Sequence, residues 1–137
     1  MIRSVVTIVA LVATTLGVPG ADCQSRVEVT RRVEQALSEG NVNALLGTVS
    51  PRVAIAVSGE SREYSRTQAE YVLKSFFAKH PPAGFSVRTL SETEQGAFLA
   101  GKYRVSGVAR EIDVYLRLRD RRGAWELREL IIRTDPR

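Results

Sequence analysis

The 137-residue sequence contains one cysteine, one histidine, one methionine and one tryptophan, and each shortage removes a class of chemistry. A lone cysteine builds no disulfide framework. One cysteine and one histidine fill neither a zinc cage nor a soft-metal site, which take several such ligands from one chain. No metal and no other cofactor is therefore expected. A Gly-x-Ser-x-Gly nucleophile elbow is missing. Gly101-Lys102 lacks the upstream glycine and the following Ser/Thr of a phosphate loop, since Tyr103 comes next. The apolar run Val5–Val18, interrupted by Thr7, Thr14, Thr15 and Gly17, is too short to span a bilayer.

That run lies between Arg3 and the small residues Gly20 and Ala21, the three-part pattern of a secretory signal peptide. Residues 1–23 are read as that peptide and residues 24–137 as a single domain. Cleavage falls after Gly20, with Val18 three positions inward, or after Cys23, with Ala21 in the matching place. A lipoprotein anchored through Cys23 is the competing reading, opposed by Asp22 where a small residue is wanted. Export to the periplasm or beyond removes the cytosolic nucleotides, nicotinamides and nucleic acid from the partner list. No transmembrane segment is expected in the mature chain.

What is present is globular: 44% of residues are hydrophobic and 26% charged, which fits one ordinary domain. Arg3 and Asp22 cancel, so the net +5 belongs to residues 24–137. Only Lys74, Lys79 and Lys102 are lysines. The arginines that make up the rest favour carboxylate or phosphate partners through their planar fork, although a solvated surface that keeps the protein soluble is the default reading of them.

Hydrophobic spacing gives the elements. Val29, Val33, Ala36 and Leu37 form one stripe of a helix over Arg26–Glu39 that Gly40 stops. Asn41 caps a short second helix with Val42, Leu45 and Leu46, closed by Ser50-Pro51. Val53, Ile55 and Val57 read as a strand that turns at Ser58-Gly59-Glu60 into a short return through Glu63-Tyr64. Ser65-Arg66-Thr67-Gln68 is a capping box. The core helix it opens buries Ala69, Val72, Leu73, Phe76 and Phe77 and ends before Pro81-Pro82. Four strands follow, Phe85–Leu90, Ala97–Val105, Ala109–Arg119 and Trp125–Thr134, joined by hairpin-type turns into an antiparallel meander. Ile112, Val114, Leu116 and Leu118 form its dry face, against Asp113, Tyr115, Arg117 and Arg119. The last strand changes phase near Arg128-Glu129, the mark of a bulge or of two covered faces. The class is α+β: N-terminal helices, a strand hairpin and a core helix packed on a curved four-strand meander.

This element order resembles the nuclear transport factor two-like superfamily, a cone of curved sheet around helices. Three blocks are narrower in their likeness: Gln35–Asn41, Tyr64–Glu70 and Phe76–Phe85. Together they resemble an exported bacterial family known as domain of unknown function 4783, over about Val33 to Ile132. The resemblance implies the cone fold, export, no assigned activity, and a homodimer with Tyr115, Arg117 and Arg119 near the contact. The superfamily includes dehydratases, isomerases, small-molecule binders and association domains, and fold alone does not choose among them.

The residues point to a non-catalytic binding module, with Asp113, Tyr115, Arg117 and Arg119 as its ligand or partner face. The occupant is an apolar or anionic small molecule in the cone, or an envelope protein on the outer sheet. Arg117, Arg119, Arg121 and Arg122 form a basic ridge that could clamp an anion, or could protect the sheet from edge aggregation. The alternative from a different class is a small cavity enzyme of dehydratase or isomerase type using Asp113 or Glu129, whose paired carboxylates would split their pKa values in a dry pocket. A structural accessory of an envelope assembly is a third reading. His80, the one histidine, sits at a helix end and reads as a cap or a solvated loop residue. Nucleic acid is not expected, because no stacking aromatics interleave the charges except Tyr115.

Overall fold

The computed structural model describes residues 21–47, 52–121 and 124–134. The signal-peptide run and the Ser50-Pro51 stop lie outside the described residues, as do the side chains of Cys23, Arg121 and Arg122. Among the described residues three helices, α1 (Ala21–Glu39), α2 (Val42–Leu46) and α3 (Arg66–Lys79), pack against six strands: β1 (Arg52–Val57), β2 (Arg62–Ser65), β3 (Pro82–Thr93), β4 (Gly96–Val105), β5 (Glu111–Arg121) and β6 (Ala124–Arg133). α1 buries Val33, Ala36 and Leu37 and breaks at Gly40, whose φ of 66° a side chain would resist. The Asn41 side chain accepts from the Ala44 amide at 3.1 Å and starts α2. At α3 both halves of the capping box are made, Gln68 N–H to Ser65 Oγ at 3.3 Å and Ser65 N–H to Gln68 Oε1 at 3.1 Å. The buried stripe of α3 is Ala69, Leu73, Phe76 and Phe77, with Val72 half-buried.

The hairpin is not a separate piece lying on a four-strand meander. All six strands form one sheet in the order β2-β1-β6-β5-β4-β3, because β1 runs parallel to β6 with Ala54 beside Glu129 and Val57 beside Ile132. Val57 is 39% exposed rather than part of the core. β5 begins at Glu111, not Ala109, since the turn through Ser106 and Gly107 continues to Arg110. β3 starts earlier than Phe85, at Pro82; an edge strand tolerates proline where a central one would lose a ladder bond. Two irregularities bend the sheet. In β6 the register jumps from Arg117–Glu129 to Leu118–Leu127, which makes Arg128 the extra residue and explains the change of phase. In β3 it jumps from Val87–Gly101 to Thr89–Ala100, with Arg88 between them.

The inner face carries Leu99 and Tyr103 of β4, Ile112, Val114, Leu116 and Leu118 of β5, and Leu130 and Ile132 of β6, all buried with the α3 stripe in one cluster. Tyr103 is fully buried. Its hydroxyl donates to the His80 carbonyl and its ring lies 5.5 Å from that of Phe76. Burial pushes the Tyr103 phenol up to about 12. A group whose folded-state pKa is raised binds its proton more tightly folded than unfolded. Its contribution is therefore whole below about pH 10 and is lost as pH rises toward 12. The urea midpoint is expected to fall across that window, and less steeply in Tyr103→Phe. Lys102, held above its ordinary value by the hydrogen bond it donates to the Asp113 carboxylate, adds a slope of the same sign. An identical pH profile in Tyr103→Phe would place the phenol in contact with water.

Candidate functional site

Alternation along β5 turns Asp113, Tyr115, Arg117 and Arg119 away from the core, and the cross-strand register sets their neighbours on the outer face. Asp113 lies between Lys102 and Arg133, and Tyr115 between Ala100 and Ile131. Arg117 lies between Phe98 and Glu129, and Arg119 between Gly96 and Glu126. Ile131 is in turn beside Ala56, and Glu129 beside Ala54, whose other neighbour is Glu63. The outer face thus consists of rows running across the strands. Ala100, Tyr115, Ile131 and Ala56 form an apolar row. A charged row lies on either side of it.

The rows are tied by side-chain contacts. Phe98, diagonal to Tyr115, stacks on it with centroids 6.1 Å apart and planes at 26°. Arg133, diagonal on the other strand, places its guanidinium carbon 5.3 Å from the Tyr115 ring centroid, a cation–π distance. In one charged row Lys102 donates to Asp113, both side chains 41% exposed. In the other Arg117 stands 3.6 Å from Glu129, and Arg52 stands 3.6 Å from Glu63. Such exposed pairs add little stability, but they fix which sign each row presents. Along this second row a shallow open depression of about 1010 Å³ is lined by Ala54, Glu63, Phe98, Arg117, Arg119 and Glu129 among others.

The expected face residues are therefore together, and the sequence reading missed Phe98, Ile131 and Arg133 beside them. The signal for Phe98 was available: Phe98, Ala100 and Lys102 alternate with Leu99, Gly101 and Tyr103 along β4. The basic ridge is less basic than its sequence, because Arg117 and Arg119 are registered opposite Glu129 and Glu126. The two acids weighed for catalysis do not meet. Asp113 is opposite Arg133 and Glu129 opposite Arg117, so they lie four residues apart along β5 and outside the core. His80 caps α3 with its backbone N–H bonded to Phe76 O at 2.8 Å. Its ring stacks on Phe76 at 4.9 Å, and its Nδ1 is buried with no hydrogen-bond partner among the described residues. It is a cap packed on the core, half-buried rather than solvated. Among the described residues no three of His, Cys, Asp or Glu gather to hold a metal, and no helix is long and apolar enough to cross a membrane.

The model of the family described as domain of unknown function (DUF4783) matches residues 30–133. No curated protein sequence matches. Among solved structures, a DUF4783 family protein from Bacteroides uniformis ATCC 8492 is 19% identical, covering 80% of this chain and 99% of that one, with a TM-score of 0.71. One from Bacteroides ovatus ATCC 8483 is 18% identical over 77% of this chain and 94% of that one, with a TM-score of 0.70. An NTF2-like protein of unknown function from Shewanella baltica OS155 is 16% identical over 84% and 94%, with a TM-score of 0.61. At these identities the likeness speaks to the fold.

Proposed function

Since the chain belongs to the DUF4783 family and has an NTF2-like fold, we propose that it is an exported, non-catalytic binding module whose outer sheet face seats another protein, in the first place a second copy of itself. Residues 1–23 are its signal peptide and residues 24–137 its one working domain. The observation that carries the reading is the apolar row through Tyr115 and Ile131, extended by Phe98, which is 37% exposed. A water-facing sheet surface is ordinarily polar along its whole length. An apolar centre rimmed by charged residues is the anatomy of a protein interface. The rim favours a protein over a lone anion, because its arginines and Lys102 already stand beside carboxylates. It favours a second copy, because each charged row holds both signs and can meet its symmetry mate without like charges opposed. A small molecule in the cone has less support, since Leu73, Phe76, Phe85 and Tyr103 fill the interior.

The test is self-association of the purified protein. Light scattering is expected to show association that Tyr115→Glu weakens by about tenfold or more, with unchanged far-UV dichroism because Tyr115 stands outside the core. A wild-type monomer at about 100 µM, or an oligomer whose mass ignores Tyr115→Glu, would overturn the reading. An envelope protein that copurifies with such a monomer would be the occupant instead.

A further inference from the structure

The sheet has two edges, and they differ. β2 is four residues long and carries Arg62 and Glu63, the short charged kind of edge that resists pairing. β3 is twelve residues long, and only its first half is blocked. There the amides of Phe85 and Val87 donate to Ser38 Oγ at 3.0 Å and Glu34 Oε1 at 2.9 Å, both on α1. From Arg88 to Thr93 every residue is exposed, Leu90 at 39%.

The bulge decides which backbone groups this second half offers. Thr93 and Gly96 flank a two-residue turn and pair with each other. Ladder groups alternate between the two sides of a strand. Thr93, Ser91 and Thr89 therefore turn toward β4, and Leu90 turns its N–H and C=O outward. Side chains alternate as well, so Arg88, Leu90 and Glu92 share one face and Thr89 and Ser91 the other.

The segment Arg88-Thr89-Leu90-Ser91-Glu92 is complementary to itself when laid antiparallel. With Leu90 on a two-fold axis, Arg88 of each chain faces Glu92 of the other, Thr89 faces Ser91, and Leu90 faces Leu90. Opposite charges, hydroxyl pairs and apolar pairs directly across are the contacts that stabilise a ladder. A slip of two residues toward Glu92 sets Leu90 against Glu92 on both sides of the axis and loses the apolar pair. Arg88 makes no ion pair among the described residues, and the Glu92 carboxylate can accept from more than one donor. We propose that two copies join edge to edge through β3, antiparallel and centred on Leu90, so that one continuous sheet crosses the pair. This contact is separate from the outer face and needs none of its residues.

Sedimentation of purified Tyr115→Glu protein isolates the edge. A dimer is expected. Adding Arg88→Glu sets two carboxylates against each other twice and is expected to weaken that dimer by about tenfold or more. Combining Arg88→Glu with Glu92→Arg restores opposite signs in reversed order, and the dimer is expected to return. A Tyr115→Glu protein that is monomeric at about 100 µM, or a dimer indifferent to Arg88→Glu, overturns the proposal. So does a dimer lost to Arg88→Glu and not recovered by the reversed pair when the far-UV dichroism of both is unchanged. Failure of the outer face reads differently: wild type and Tyr115→Glu then associate alike, while Arg88→Glu still separates them.

Discussion

Gly101→Ala is expected to cost about 3 kcal/mol or more, near or beyond the upper end of ordinary overpacking. A Cβ at Gly101 would lie 2.4 Å from the Ser86 carbonyl oxygen and 2.6 Å from Phe85 Cζ. The first of these is backbone, held in place by the ladder between β3 and β4 on either side of the Arg88 bulge. The second is a buried ring in the core cluster. Neither can retreat as the tip of an exposed side chain would. The expected result is a large drop in the urea midpoint, or a chain that fails to fold at all. A variant that unfolds at the wild-type midpoint would show that β3 does not cross Gly101 at this distance.

The second large effect is a cavity rather than a clash. Leu73→Ala and Phe76→Ala should each cost about 2–5 kcal/mol. Leu73 is fully buried between α3 and the sheet. Phe76 packs edge-on to Phe77 at 5.6 Å and under the His80 ring, so its loss also removes support from the helix cap. For a domain with a total stability of about 5–15 kcal/mol, either value is a large share. Chemical denaturation checks both, and midpoints unmoved by either change would contradict the packing of α3.

Much of this fold is legible in the sequence, for a local reason. Ser65 and Gln68 announce the start of α3 because a capping box acts over three residues. Ile112, Val114, Leu116 and Leu118 announce the inner face because a strand repeats every two. Even the Arg128 bulge shows itself, as the broken parity between Leu127 and Leu130. What is not legible is non-local. Nothing in the composition of Arg52–Val57 says that it lies parallel to β6. The site divides in the same way. Tyr115 and its neighbours on β5 can be read from one strand. Phe98, Ile131 and Arg133 join them only through the registers of two other strands. That is also why Asp113 and Glu129 looked capable of pairing and are apart.

The parallel contact between β1 and β6 carries a consequence for the order of events in the chain's life. Ser58 and Thr134, 76 positions apart, clasp each other through hydroxyl and amide, so the first strand finds its central neighbour only after the last has been made. Contacts of such high sequence separation slow folding, because the intervening loop must close before they repay its entropy. Until then one side of β1 has nothing to bind. A nascent polypeptide of this topology cannot complete its sheet until β6, at its C-terminal end, has been made.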